Sequence, residues 1–515
     1  MMNQNNIPEI PAEKFKFVGV DAKLHDQKFD TKQVSYFRDA FRRFCKNKSS
    51  VVAAIIIIVL VLYAIFIPVF CETTYSRALT DTTYLTYTKL LPRNPICVNL
   101  GLHFWDGGSK TVLGEANYVY TKAIGVETGH DIITKEYGTT TDENGKTAYV
   151  ARVDNYISNG FTFMTLTEKQ YQDIQAWQNE TGVQVIYPAT NDKKTSDANI
   201  WYEANQKGVA KLDKDGNFVH NYKTSGNDGD YNSLRVAGDP GIENPDAQDR
   251  YRYATVTGDS SSVSYKCRVF KYAYFQYRYG FEPCFLFGTN ALGQDILTRL
   301  AAGARFSLVF AVCISAINLF LGCVYGAIEG YYGGAVDMLM ERFSDILSRV
   351  PFMVVATLFQ LHLAKKVGVV PSLLFAFVLT GWIGTASTVR MQFYRFKNQE
   401  YVLAARTLGA GNLRIMFKHI FPNGLGTIVT SVALVIPSMI YSETNLSYLG
   451  IVNLEAGNTT SVGTLISAGQ KSIMAGAGFV ALFPCAFLVL LMLSFNLFGN
   501  GLRDALNPSL RGSEG

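Results

Sequence analysis

Apolar and polar positions divide this chain into three zones. A long apolar run, Val51–Phe70, carries no charge. A polar stretch then reaches to residue 287, and a second zone of closely spaced apolar runs follows it. At about 1.5 Å of helix rise per residue, a run like Val51–Phe70 matches a hydrocarbon core about 30 Å thick. It lies too far along the chain and is too long for the apolar part of a signal peptide. Val69-Phe70-Cys71-Glu72 also offers no small-residue cleavage site. It reads as a retained span. Five further spans are expected, at about 306–328, 340–364, 367–389, 424–442 and 475–499. Val350–Ala364 is short but continues an amphipathic stretch from near Val336, and Pro437 and Pro484 lie inside the last two runs. Membrane helices tolerate such prolines better than soluble ones. The fold class expected is an α-helical polytopic membrane protein with six transmembrane helices. They group as one plus five, the first being an appendage to the core at 288–499.

Charge sets the orientation. Residues 1–50 form a tail and, over Thr31–Ser50, a basic arm in which Lys32, Arg38, Arg42, Arg43, Lys46 and Lys48 face a lone Asp39. The positive-inside rule places this arm in the cytoplasm. The spacing of Tyr36, Phe37, Ala40, Phe41 and Phe44 makes it an amphipathic helix for the inner membrane surface. Arg390, Arg395, Lys397, Arg406, Arg414 and Lys418 put the segment before the fifth span on the same side. An even number of spans returns the tail 500–515 there too. The net charge of +5 gives no reason to invoke nucleic acid.

The outer zone, 71–287, differs in texture. Residues 72–287 hold 22 Lys/Arg against 26 Asp/Glu, so this zone is acidic while the remainder is basic. Short β-prone runs such as Thr147–Val153, Phe161–Leu166 and Val183–Tyr187 alternate with turn signals at Asp142–Gly145 and Asp213–Asn217. Thr167–Gln178 is the best helix candidate, with Thr167 as its N-cap. A β-rich or α+β extracellular domain is expected, with Thr224–Asp249 as its least ordered part. The turn at Asp213 fails as a calcium loop, because Phe218 and Thr224 stand where an EF-hand needs Gly and Glu. No metal site is expected. Of the eight cysteines, Cys71, Cys97, Cys267 and Cys284 fall outside. Pairing of Cys97 with Cys267 or Cys284 would staple the two ends of the insertion; free thiols are the alternative.

The inner segment 395–422 carries the chemistry. Glu400-Tyr401-Val402-Leu403-Ala404-Ala405-Arg406-Thr407-Leu408-Gly409 is followed by His419-Ile420-Phe421-Pro422. The alanine pair and the glycine are expected to give a bare helix face that another protein can approach closely, with flanking cations to pair with its carboxylates. The segment resembles the EAA loop of ABC-importer permeases. Leu403 replaces the Glu of that motif, His419 its Ile and Phe421 its Leu, while Ala404, Ala405, Gly409 and Pro422 are kept. The same run resembles the peptide-permease branch throughout. Gly288, Thr289, Leu292, Gly293, Asp295 and Arg299 resemble the segment before the core in the second, C-type, subunit of dipeptide and oligopeptide permeases, with Gln294 where that family usually has Arg. Gly330–Gly334, Gly381-Trp382 and Asn496–Asp504 continue the likeness. Residues 111–280 have no counterpart in it.

The resemblance implies a non-catalytic subunit that takes part in ATP-driven import of oligopeptides or dipeptides across the cell membrane. It implies a homologous second permease, two cytoplasmic ABC ATPases that bind ATP and Mg, and an extracellular binding lipoprotein. This chain itself would bind no cofactor, and it carries no Gly-x4-Gly-Lys-[Ser/Thr]. Glu400, Ala404, Ala405, Arg406, Gly409, His419 and Pro422 would form the ATPase-coupling loop. Apart from the resemblance, the insertion is expected to dock, or replace part of, the binding protein. Within the family, nickel or another small solute is the alternative cargo. From other classes, the alternatives are an ion-coupled secondary carrier and a surface receptor. A carrier usually places ionisable groups at mid-membrane, whereas Glu329, Glu341, Asp345, Arg349 and Glu443 fall at the expected span ends and His362 near an outer end.

Overall fold

The computed structural model describes residues 36–70, 87–141, 145–187, 211–216, 254–257, 263–452, 454 and 460–506. The N-terminal tail, Cys71, most of the Asp142–Gly145 turn, Thr224–Asp249 and the end of the C-terminal tail lie outside the described residues. Helices α1 (Tyr36–Lys46) and α2 (Lys48–Phe70) follow one another, parted only by Asn47. The β-branched run Ile55–Ile58 would be a weak helix former in water. In lipid the helix wins, because every backbone N–H and C=O must be satisfied internally.

The insertion is α+β. It comprises α3 (Pro95–Asn99), β1 (Gly108–Gly114), α4 (Glu115–Thr128), β2 (Ile133–Thr141), β3 (Thr147–Asp154), β4 (Phe161–Thr167), α5 (Glu168–Thr181), β5 (Ile186–Tyr187), β6 (Ala254–Thr257), β7 (Ser264–Phe270) and α6 (Lys271–Tyr279). One antiparallel sheet has the order β1-β3-β2. In the other, β7 is central, with β4 on one edge and β5 and β6 on the other. One apolar core, including Ile124, Ala151, Phe161, Val269 and Phe275, serves both. Thr167 caps α5 as expected: its hydroxyl accepts from Gln170 N while Gln170 Oε1 accepts from Thr167 N. The Val183–Tyr187 strand is shorter than expected, because the buried Gln178 Oε1 takes the Val185 and Ile186 N–H groups, both at 2.7 Å.

The pattern hid β7, since Lys266 and Arg268 make it look like an edge. Arg268 is in fact fully buried. It donates to both oxygens of Glu127 on α4, at 2.8 and 2.9 Å, and lies 3.6 Å over the Phe161 ring. Arg268→Lys keeps the charge but cannot fork to both oxygens. It should destabilise the insertion by about 1–3 kcal/mol, read as earlier proteolysis of the insertion on heating; unchanged resistance would remove this pair from the account.

The ends of the insertion are joined by hydrogen bonds and not by sulfur. Lys89 N donates to Asn290 O at 3.0 Å, Thr289 N to Leu90 O at 3.0 Å, and Arg93 N to Phe285 O at 2.9 Å. Cys97, Cys267 and Cys284 are free thiols, so the stapling disulfide is not formed. Cys267 lies sealed in the core on β7, and the Cys284 Sγ donates to the Arg93 carbonyl instead. Nearby, Arg93 sits 3.5 Å from Asp154, whose carboxyl is pushed above its usual range by burial, with Arg93 opposing.

The core runs α7 (Ile296–Tyr332), α8 (Gly334–Ser348), α9 (Phe352–His362), α10 (Ala364–Val367), α11 (Val369–Gly381), α12 (Ile383–Phe396), α13 (Glu400–Thr407), α14 (Asn412–Arg414), a π-turn at Ile415–Ile420, α15 (Phe421–Tyr448), α16 (Val462–Ile473) and α17 (Phe479–Leu506). Among the described residues, five helical stretches are long and apolar enough to cross a membrane: α2, α7, 369–396, 412–448 and α17. The pair α8 and α9 makes a sixth if taken as one span, but it is bent by 71°. The expected span at 340–364 is therefore two helices. Pro351 lacks an N–H, adopts an extended backbone and disfavours helix at Val350. The other core spans overrun their expected ends: 367–389 extends to Phe396, 424–442 extends to Tyr448, and 475–499 extends to Leu506, inside the supposed tail.

The first span is not an appendage. Small residues Ala53 and Ala64 are buried in its contact with α7 and α17, and Tyr63 donates to Leu297 O at 2.6 Å. A Cβ on Gly501 would collide with the Ser50 side chain. A second close contact joins α7 to α12. Gly322, Gly326 and Gly330 recur every four residues and back onto Thr385, Ala386 and Arg390–Phe393. Such stripes let membrane helices approach closely.

Candidate functional site

Helix α13 is anchored by Val402 and Ala405, which are buried with Ile415, Met416 and Ile420. Leu403, Ala404, Arg406 and Leu408 face out. The alanine pair therefore does not form one bare face: Ala405 packs inward and Ala404 points outward, because neighbours in a helix stand about 100° apart. The exposed face is instead apolar and knobbed. Leu408 is 88% exposed and Leu413, just beyond the turn, 70%. Between them Gly409 turns the chain at φ +79°, with open space where a Cβ would stand. Glu400 is exposed in the first turn of α13, where a helix N-terminus favours an acid. His419 is half-buried and Pro422 exposed in the first turn of α15.

This knob is tied to the spans. Tyr331, at the end of α7, donates to Asn412 Oδ1 at 2.8 Å, and the Arg406 guanidinium lies 5.9 Å from its ring. Asn423 Nδ2 donates to Tyr401 Oη at 3.1 Å and to His419 O at 2.8 Å. The π-turn inserts its wider register between α14 and α15, a feature that often marks functional breaks in helices. Movement of α13 would thus be passed to α7 and α15.

Beside it lies a charge cluster that the sequence reading did not assemble. Arg390 on α12 forks onto Asp337 of α8 at 2.6 and 2.9 Å, and onto Glu341 at 2.8 and 3.0 Å. Glu329 of α7 is 3.5 Å away, and Tyr394 donates to Asp337 at 2.6 Å. One guanidinium thus holds three helices together.

Residues 318–512 match the family described as binding-protein-dependent transport system inner membrane component. Residues 35–92 match the N-terminal TM domain of oligopeptide transport permease C. The oligopeptide transport system permease protein OppC of Bacillus subtilis is 40% identical over 225 residues, 44% of this chain and 72% of that protein. The chain belongs to this permease family. The dipeptide permease protein DppC of B. subtilis is 38% identical over 225 residues, 44% of this chain and 69% of that one. OppC of Haemophilus influenzae is 40% identical over 230 residues, 45% and 72%. The permease is thus a multi-pass membrane protein and a non-catalytic component of a binding-protein-dependent ABC transporter, a class that works with ATPase and binding-protein partners. Most of the insertion falls between the two matched regions.

In the permease, Gly288, Thr289, Gly293 and Asp295 build the joint between insertion and core. Asp295 caps α7, accepting from Leu297 N, Thr298 N and the Thr298 hydroxyl. The fully buried Thr289 donates to Tyr87 O and accepts from Leu90 N. Gly288, at φ +77°, lies against Leu90 O and Phe479, where no side chain fits. Leu292 is exposed, and Arg299 stands in the first turn of α7.

Glu443 is the second feature the pattern misplaced. It is not at a span end but within α15, 1% exposed. Ser461, Ser447 and Ser307 donate to it at 2.6, 2.9 and 3.2 Å. Ser461 also caps α16. The carboxylate therefore pins the start of α16 to α7 and α15.

Proposed function

We propose that this permease carries oligopeptides or dipeptides across the cell membrane, driven by two separate cytoplasmic ATPases. A homologous second permease completes the pathway, and an extracellular lipoprotein delivers the peptide. ATP and Mg are held by the ATPase chains. The observation that carries this reading is the exposed knob formed by Leu403 and Leu408 at α13 and Leu413 on α14, tied to α7 and α15 through Tyr331 and Asn423, in a chain of this family. Such a knob fits a cleft in a soluble partner, and Glu400 and Arg406 can pair at its rim. Closure of the ATPases would push α13, and through Tyr331 and the π-turn tilt the spans. On this reading both termini are cytoplasmic and the insertion is outside, which the basic residues around α1 and α13 support through the positive-inside rule.

The test is uptake of a labelled tripeptide and a labelled pentapeptide by cells whose own peptide importers are deleted, with the permease supplied beside its neighbouring transport genes. Peptide uptake that needs all components is expected; uptake of nickel and not of peptide would overturn the cargo.

The insertion serves, on this reading, as a docking platform for the delivering protein. Deleting 111–280 leaves the hydrogen-bonded joint at 87–93 and 285–290 in place. Uptake should fall while the ATPases still co-purify; normal uptake would sink the platform role.

A further inference from the structure

At the end of the spans remote from the insertion, a cavity of about 660 Å³ opens between α1, α15 and α17. That size lies within the range of small-molecule pockets, about 300–1,000 Å³. Its walls include Phe41 and Phe44 of α1, Val429 of α15, and Phe498 and Leu502 of α17. Among the described residues, Arg38 is the only polar one that lines it, and it is exposed. One turn further along α1, Arg42 is exposed too. Phe44 meets Phe498 edge-on at 5.4 Å, which fixes the helix across the cavity mouth. A purely interfacial helix needs no hollow beneath it. This one roofs an apolar slot at the level where the spans end, with Arg38 at its edge and Arg42 one helical turn away.

We infer that the slot binds one acyl chain of an anionic phospholipid, with Arg38 and Arg42 on its phosphate. The apolar lining excludes a polar ligand, since each unpaired polar group placed there would be costly. The charge at the rim selects an anionic headgroup over a zwitterionic one. The lipid would brace α1 against α15, the helix that also receives the push from α13. The site therefore does not depend on which cargo the permease carries.

The experiment uses the complete importer in nanodiscs. These contain phosphatidylcholine with a tenth of phosphatidylglycerol bearing a photoactivatable acyl chain. Cross-linking is expected within 40–44, 425–429 and 498–506, and should be competed by unlabelled phosphatidylglycerol but not by phosphatidylcholine. Arg38→Ala leaves the spans untouched and should lower labelling about fivefold, the effect of losing one cation at an anionic surface. Ala505→Phe, which fills the slot from α17, should abolish it. Labelling spread evenly over the lipid-facing spans would overturn the proposal. So would labelling insensitive to Arg38→Ala, or capture of the slot by residues 1–35 or by another subunit. If Ala505→Phe does not assemble, the Arg38→Ala result and the competition decide.

Discussion

Leu408→Asp is expected to leave the permease folded and inserted while stopping transport. The side chain is 88% exposed, so the fold loses almost no burial. In the proposed complex it fills the centre of the ATPase cleft. Replacing such an anchor by a carboxylate without a partner costs about 2–4 kcal/mol, roughly 30- to 1,000-fold in docking. The ATPases should fail to co-purify, and peptide uptake should fall to background with a monodisperse permease. Gly409→Arg tests the same surface differently. Nothing in the chain blocks a side chain there, but φ is +79°. Gly409→Arg therefore combines backbone strain of about 1–2 kcal/mol with an obstacle on the docking face. Gly409→Asn, which tolerates that backbone region, separates the two. Asn should keep most uptake and Arg should keep ATPase activity without uptake. Equal loss in both would assign the position to the turn alone, and full uptake with Leu408→Asp would remove α13 from the coupling path.

Much of this was legible from pattern and spacing. Long charge-free runs declare themselves as spans, and the Ala-Ala-Arg-x-Leu-Gly run located the knob. The parts missed share a cause: each depends on which side of a helix or sheet meets a distant segment. Ala404 and Ala405 look equivalent in sequence, yet Val402 and Ala405 form the buried edge and Leu403, read as a departure, joins the exposed one. Nothing in the local pattern marks Arg268 for burial, because its partner Glu127 lies far away in sequence on α4. Glu443 looked terminal because hydropathy falls there, although the helix continues to Tyr448. The bend at Pro351 was concealed because the short run Val350–Ala364 continues the amphipathic stretch from near Val336 and so reads as one span, although the proline breaks it. Hydrogen-bonded joints such as Thr289 with Leu90 leave almost no trace in composition, so cysteines drew attention away from them.

Arg390→Met is expected to be the most damaging single change in the core. Asp337, Glu341 and Glu329 lie on two helices and converge on this one guanidinium. Met preserves much of the side-chain volume, so the loss is electrostatic. Removing the cation leaves three carboxylates close together, and the Glu329 side chain is only 4% exposed. Breaking a buried pair on one side costs about 3–5 kcal/mol. Part of that is discounted here, because the Glu341 side chain is 45% exposed and screened by water. The contact at stake is also the glycine seam of α7 on α12, since Gly330 backs onto Arg390 itself. Arg390→Met should lower the melting temperature of the purified importer and abolish uptake, because α8 would no longer follow α12 when the spans tilt. Arg390→Lys should give an intermediate defect, having charge without the fork. The discriminating variant is Arg390→Met combined with Asp337→Asn and Glu341→Gln, which removes most of the repulsion. If the cluster acts only by holding the helices together, this triple variant recovers stability and uptake in parallel. If the charged fork transmits the movement, stability returns while uptake stays low. Wild-type behaviour of Arg390→Met in both measurements would show that the cluster is incidental.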